Sequence, residues 1–564
     1  MNRLIALVLL SALAACSVPG SPRARKNYPY RWVYVSRSLS EDSHVEDIRE
    51  IADTCAAHGL NGILLAAGLD RLDLADIGYI NRLFDVRQIG RDTGVEIIPV
   101  IFSVGYGGSV LAHNKNLAAG TPVIDALYIA GRNRAGLAAD PPVELSNGGF
   151  EQSEANAAKN FGPDEVFGST VFRDTEKKHS GASSLRFQNM DSTGASVSTE
   201  IEVSPHRLYR LSMWIMAEDT GEDNPFGSSR INLQATAPDG RPLEWIRLST
   251  PGGEGWQQVV EGFNSREYDR VKISIEARRG TKGKFWVDDL SIEEAGMVNL
   301  LRRPGTPLVV RNEATDELYE EGRDFAPVAD SILDFRFDHR GPDIELLPGG
   351  RIKPGSRLRV SFYHGTYTYR SQVTLCMSEP EVYDIWRENA LRIQSILHCR
   401  KYFLDMDEIR NGGSCETCRA RGMTMGQMVG DCITRQTNIL RWANPDAEIF
   451  IWSDMIDPNH NARDERPYYY YVDGNYGGSW NYIPKDLHVA CWWYEKRRSS
   501  LDFFSSKSYR TLGAAYYDAD NLENPKGWLE ALDSTPDAEG IIYTTWLNKY
   551  NLLDDFGDLV SRNE

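Results

Sequence analysis

RWVYVS (Arg31–Ser36), EDSHVEDIREIADTCAAHGL (Glu41–Leu60), NGILLAA (Asn61–Ala67), YINRLFDVRQIGRDTGV (Tyr79–Val95) and EIIPVIFS (Glu96–Ser103) follow one another near the start of the chain, and their alternation decides the fold. The first, third and fifth pieces are short and largely apolar, whereas the second and fourth carry apolar residues at helical spacing. Apolar strands separated by amphipathic helices predict a parallel sheet covered by helices. The rhythm stops near Pro141 and returns after the helical segment EPEVYDIWRENALRIQSIL (Glu379–Leu397). KYFLDMDEI, EIFIWSDM, DLHVACWWYE, TLGAAYYDAD and GIIYTTW then read as strands, with helical stretches such as TMGQMVGDCITRQTNILRWA between them. Three strands before the gap and five after it predict a (β/α)8 TIM barrel interrupted after its third strand. RLRVSFY (Arg357–Tyr363) would be a ninth strand, which a closed eight-stranded barrel cannot take, so it is assigned to the insertion.

The insertion reads as all-β. From ELSNGGFEQ to GKFWVDDLSIEEAG, short strands alternate with turn residues. The motifs NGGFE, HSGASSLRF, YRLSMWIMAE, GWQQVV and FWVDDLSI occur here in the order found in the family 4, CenC-like carbohydrate-binding modules, which this segment resembles. The resemblance implies a jelly roll that binds glycan through aromatics such as Trp214, Trp245 or Trp256, or that keeps these in its core. It also implies a structural calcium near Glu151 and Asp288 or Asp289. A further β-rich stretch ends in GGRIKPGSRLRVSFYHG (Gly349–Gly365). The expected organisation is a signal segment (1–16), a tether (17–29), barrel (30–140), jelly roll (141–296), small β-rich module (297–366) and barrel again (367–564).

The N-terminus carries one Arg, an apolar run too short for a membrane span, and LAAC ending at Cys16. This is similar to a bacterial lipoprotein signal, and the resemblance implies lipidation of Cys16. It predicts an exported chain anchored to the cell envelope, at the outer membrane if the source is Gram-negative, since Ser17 follows the Cys. The 564 residues carry a net charge of −18, which argues against nucleic acid as a partner. Thirteen Trp and 26 Tyr suit a carbohydrate ligand, because sugar C–H faces stack on aromatic rings, although most must serve the core. In an exported protein the seven cysteines after Cys16 leave one unpaired. CETC (Cys415–Cys418) has metal-ligand spacing that Cys399 or Cys432 could complete, or it closes a local disulfide.

Barrel active sites lie at the carboxyl ends of the strands. Those ends offer Arg37; Asp405, Asp407 and Glu408; Trp452 and Asp454; Trp492 and Trp493; Tyr517 and Asp518; and Trp546 and Asn548. Carboxylates walled by aromatics, with no phosphate-binding glycine loop or metal triad, point to glycoside hydrolysis without a catalytic cofactor. That reaction needs one protonated acid for the leaving oxygen and one anion for the developing positive charge. Asp407-Glu408 at the end of the fourth strand resembles the catalytic pair of glycoside hydrolase family 20. The resemblance implies that Glu408 is the general acid/base and that Asp407 orients the substrate's own acetamido nucleophile. It also places Trp546 in the sugar pocket and makes Arg37 a sugar ligand. Here Asp405-Met406 stands where that family has Gly-Gly, Asn548 where it has Glu, and GILLAAG where it has a His-bearing strand. Two other readings stand beside this one. Asp518 could act as a nucleophile paired with an acid about 5 to 5.5 Å away, or the barrel could be a glycan-binding protein without turnover. WSDMIDPNHNA and YYYYVDGNYGGSW read as one long loop over the site, with Asp457 and His460 available to substrate.

Overall fold

A computed structural model of the chain describes residues 26–218, 230–247, 255–369 and 372–561. Cys16, the signal segment and most of the tether lie outside them. Eight parallel strands close the barrel: β1 (Tyr30–Ser36), β2 (Gly62–Ala66), β3 (Glu96–Ile101), β4 (Lys401–Leu404), β5 (Glu448–Trp452), β6 (His488–Cys491), β7 (Arg510–Tyr516) and β8 (Ala538–Thr544). β8 returns to β1, pairing Gly540 with Tyr30 and Tyr543 with Val33. The strand-helix reading is therefore correct in number, order and direction. Among the described residues no helix is long and apolar enough to cross a membrane.

The strands are apolar on both faces, and the two faces do different things. In β1, Trp32 and Tyr34 point inward and meet Leu64, Ile98, Phe403, Phe450, Trp452 and Ile542 in the barrel interior. Val33 and Val35 point outward to the helix layer. That layer includes α1 (Ser43–Ala57), α2 (Ile77–Thr93), α3 (Pro380–Leu397) and α4 (Met425–Ala443). Proline at the first turn starts α3, and a reciprocal Thr424/Gln427 capping box starts α4. The interior is unusually aromatic: Trp32 and Phe450 meet at 4.7 Å between centroids, Phe403 and Trp452 at 4.5 Å.

Between β3 and β4 the chain leaves the barrel. The jelly roll packs a sheet of Ala195–Glu202, Arg270–Ala277, Ile231–Thr236 and Pro242–Arg247 against one of Gln257–Asn264, Leu208–Glu218, Lys284–Glu294, Ser184–Phe187 and Val171–Asp174. A separate six-stranded sheet contains Arg357–His364, which lies outside the closed barrel. Its neighbour is Thr121–Ala130, paired antiparallel from Arg357 with Ile129 to His364 with Thr121. Residues 121–137, read above as barrel, thus belong to the small β-rich module. Their partner lies more than 200 residues away, and local pattern does not encode such a pairing.

Gly62 faces Trp32 in register, and a Cβ there would lie 2.5 Å from Trp32 Cδ1. Trp32 is fully buried and has nowhere to go. Gly62→Ala is expected to destabilise the barrel by about 1–3 kcal/mol, read as a lower denaturant midpoint at unchanged m-value.

Candidate active site

β4 ends at Leu404, and the chain then passes over the barrel mouth. Asp405 still follows the ladder, its N–H donating to Ile101 O at 2.9 Å. Its side chain accepts from Trp452 Nε1 at 3.3 Å. Asp454, just beyond β5, accepts from the Glu408 N–H at 2.9 Å, Asn461 Nδ2 at 2.9 Å and Trp492 Nε1 at 3.3 Å. Asp407 stands near both, and its Oδ1 is shut off from solvent without accepting from any protein donor. Two adjacent strands position these groups: the continuation of β4 carries Asp405, Asp407 and Glu408, and the end of β5 carries Trp452 and Asp454.

Three carboxyls so placed cannot all be charged. Desolvation pushes Asp405 up to about 6 and Asp454 up to about 7. Asp407 is driven well above the usual carboxylate range, by desolvation first and then by the charges of Asp405, Asp454 and Glu408. Asp405 and Asp407 lie close enough that the charge of one raises the other. A further carboxyl, Asp70, accepts from the Phe102 N–H at 2.8 Å and is pushed up to about 7 by burial. The sequence reading missed it. The signal available was an acid four residues after Ala66, the last residue of the second strand.

Glu408 differs from its neighbours. It has a positive φ of 49°. Its carboxylate pairs with Arg410 Nη2 at 2.6 Å and accepts from the Tyr106 hydroxyl. Gln372 donates to the Glu408 carbonyl at 2.9 Å and accepts from Arg410. Arg410 in turn lies over the rings of Tyr369 (4.5 Å) and Tyr469 (5.2 Å). Arg410, Gln372 and Tyr106 were not singled out from sequence. Arg410 was legible as the cation two residues after Glu408, but Gln372 and Tyr106 reach the site only through the fold.

The remaining predicted residues fall at the same mouth in different roles. Trp452, Trp546 and Tyr34 form one aromatic wall, with Tyr34–Trp546 at 5.1 Å and Trp452–Trp546 at 6.5 Å between centroids. Tyr517 meets Trp546 edge-on at 6.2 Å, and both are open to solvent. Arg37 is tied to Asp47 at 2.9 Å and to Asn548. Asp518 accepts from Thr545 Oγ1, from the Trp546 N–H at 2.9 Å and from the Leu547 N–H at 3.3 Å, so its carboxylate brackets the start of the β8 loop. His460 packs on Trp492 (4.3 Å) and Trp493 (4.8 Å), and burial holds its pKa down to about 3, leaving it a neutral support. Asp457 is likewise buried, accepting from the Asn459 N–H. The long tyrosine-rich loop clasps the β4 continuation: Tyr476 donates to Ile409 O at 2.7 Å and the Tyr471 N–H to Arg410 O at 2.7 Å.

Away from the barrel mouth, Trp214 and Trp256 are half-buried rather than core, and His179 stacks on Trp214 at 3.8 Å. Glu151 accepts from the Ala182 N–H with both oxygens, and Asp289 bonds His179 and Ser180. The CETC cysteines meet Cys376; Cys399 and Cys432, the partners suggested from sequence, lie elsewhere in the core.

No family model matches the chain, and no curated protein matches it. Among solved structures it is similar to the chitobiase of Flavobacterium johnsoniae, at 8% identity over 95% of this chain and 48% of that one, with a TM-score of 0.36. It is also similar to the rhamnosidase of Novosphingobium sp. PP1Y, at 11% identity over 92% of this chain and 55% of that one, with a TM-score of 0.32. A family 4 carbohydrate-binding module is similar at 14% identity over 27% of this chain and 99% of that one, with a TM-score of 0.21. The chain spans about half the length of the two enzymes. The fold assignment rests on the closed barrel itself.

Because the Asp405 and Asp454 carboxyls are raised, the folded chain keeps protons that the unfolded chain has released. Their contribution to stability is complete below about pH 4 and is lost as pH rises to about 7. Asp454→Asn is expected to flatten that decline, measured by denaturant unfolding across the window. A Cβ on Gly105 would lie 2.3 Å from Asp407 O and 2.9 Å from Glu408 O. Gly105→Ala should therefore displace the β4 continuation and lower any turnover on the order of 100-fold, with a smaller effect on unfolding.

Proposed function

We propose that the chain is an exported glycoside hydrolase, held to the cell envelope through Cys16 and acting on oligo- or polysaccharides. One observation carries this reading. A group of carboxyls raised by burial stands beside a carboxylate held in an ion pair, at the mouth of a barrel walled by Trp452, Trp546 and Tyr517. Glycosidic bond cleavage asks for that pair of states: a proton for the departing oxygen and an anion for the sugar's developing charge. The aromatic wall supplies a stacking face for the ring.

Two assignments of role fit the reaction. In the first, suggested by the resemblance to family 20, Glu408 is the acid/base and Asp407 accepts the N–H of a 2-acetamido group, whose oxygen attacks the anomeric carbon. The absence of any protein donor to Asp407 Oδ1 supports an orienting contact of this kind. In the second, Asp407 gives the proton and Glu408 is the anion. The Glu408–Arg410 ion pair, together with the elevated Asp407 carboxyl, favours this second assignment. Asp518 is already committed to three donors from the β8 loop, which supports a structural role for it. The half-exposed Trp214 and Trp256 support glycan binding by the jelly roll.

The test is hydrolysis of aryl N-acetyl-β-hexosaminides against plain β-glycosides by wild type, Glu408→Gln and Asp407→Asn. Loss of the acid should cost roughly 10²–10⁴-fold on poor leaving groups and little on a highly activated aryl glycoside, which needs no proton. The variant that recovers on the activated substrate identifies the acid. Silence of the wild type on every glycan, with binding retained, would leave a binding protein.

A further inference from the structure

Cys376, Cys415 and Cys418 converge from two separate segments. Cys376 lies just before α3, Cys415 is the N-cap of the short helix Glu416–Ala420, and Cys418 is one turn further on. All three are buried. Their sulfurs form a nearly equilateral triangle with sides of 3.4, 3.5 and 3.6 Å. A disulfide would bring one pair to about 2.05 Å. Three tetrahedral thiolates on zinc, with Zn–S bonds of about 2.3 Å, stand about 3.8 Å apart.

A second feature faces the same triangle. Arg303, from the small β-rich module, donates to Glu379 Oε1 at 2.8 Å and to the carbonyls of Asn116 and Ala118. Its Nη2 is buried with no partner, and its guanidinium interacts electrostatically with Cys376 and Cys415. Glu379 supplies the counter-charge of Arg303 in a buried ion pair, and the unpartnered Nη2 leaves one donor free for a further acceptor such as thiolate sulfur.

We infer that Cys376, Cys415 and Cys418 bind a zinc ion, at the junction where the small β-rich module meets the barrel. Each thiol gives up its proton as the metal binds. Thiolate sulfur selects zinc over calcium or magnesium. Among the described residues no fourth His, Cys, Asp or Glu joins the group, so the fourth position is left to a small non-protein donor such as water. The ion ties two segments that both enter the catalytic mouth. Cys376 follows Gln372, and Cys415 follows Arg410, which Gln372 holds together with Glu408. A metal here is a structural staple behind the site. The inference depends on the cysteine geometry alone and survives any revision of the enzymatic reading.

The experiment is elemental analysis of the full chain, purified without chelator, together with alkylation mapping of the denatured, chelated but unreduced protein. The expected result is about one zinc per chain, with Cys376, Cys415 and Cys418 all open to alkylation. Cys418→Ala and Cys376→Ser should each lower the zinc content at least tenfold, while Cys399→Ser, a buried cysteine outside the group, keeps it. For variants that fold poorly, a strong chelator added to wild type should lower the Tm, and zinc should restore it. Absence of zinc, a Cys415–Cys418 disulfide revealed by blocked alkylation, or zinc retained in both cluster variants would each overturn the proposal.

Discussion

The molecule depends on a short parallel contact between β3 and β4, in which Val100 pairs with Phe403 and Ile101 with Leu404. Those few hydrogen bonds close a barrel whose third and fourth strands are separated by the whole insertion. The entropy of closing so long a loop rises only slowly with its length, and the insertion folds on its own cores, so the closure is sustainable. The same contact carries the ladder on to Asp405 and sets where the chain must turn. Asp405, Asp407 and Glu408 take their places from that turn.

The turn is made of residues that repel one another, and the surroundings are built to contain them. Trp452 and Trp492 direct indole N–H groups at Asp405 and Asp454, and Asn461 adds a third donor. Glu408 is held in an ion pair with an arginine that lies over tyrosine rings. Gly105 leaves the space through which the loop passes. The outcome is a difference of environment among adjacent carboxyls: burial raises Asp405, Asp407 and Asp454, and Glu408 is held in an ion pair with Arg410. Environments that push neighbouring acids toward different protonation states are the means by which one site supplies both an acid and an anion at a single pH.

The insertion is part of this arrangement rather than an appendage. Gln372 and Tyr369 reach the mouth from the stretch that returns to the barrel, and Arg303 reaches the cysteine triangle from the small β-rich module. The site is thus walled by segments on both sides of the interruption.

The sequence by itself determined the barrel, because strands buried on both faces and helices with one apolar stripe leave a periodic signature within a few residues. It also placed Asp405, Asp407, Glu408, Trp452, Asp454 and Trp546 at one mouth, since in a parallel barrel the end of a strand is known once the strand is known. The tertiary structure alone decided that Thr121–Ala130 joins Arg357–His364, that Cys376 completes the CETC group, and that Asp518 brackets a loop. It also decided that Glu408 faces Arg410 while Asp407 faces Asp405. The physical reason is common to all of these. Periodicity reports which face of an element is buried, whereas pairing, protonation and coordination depend on groups that arrive from distant parts of the chain.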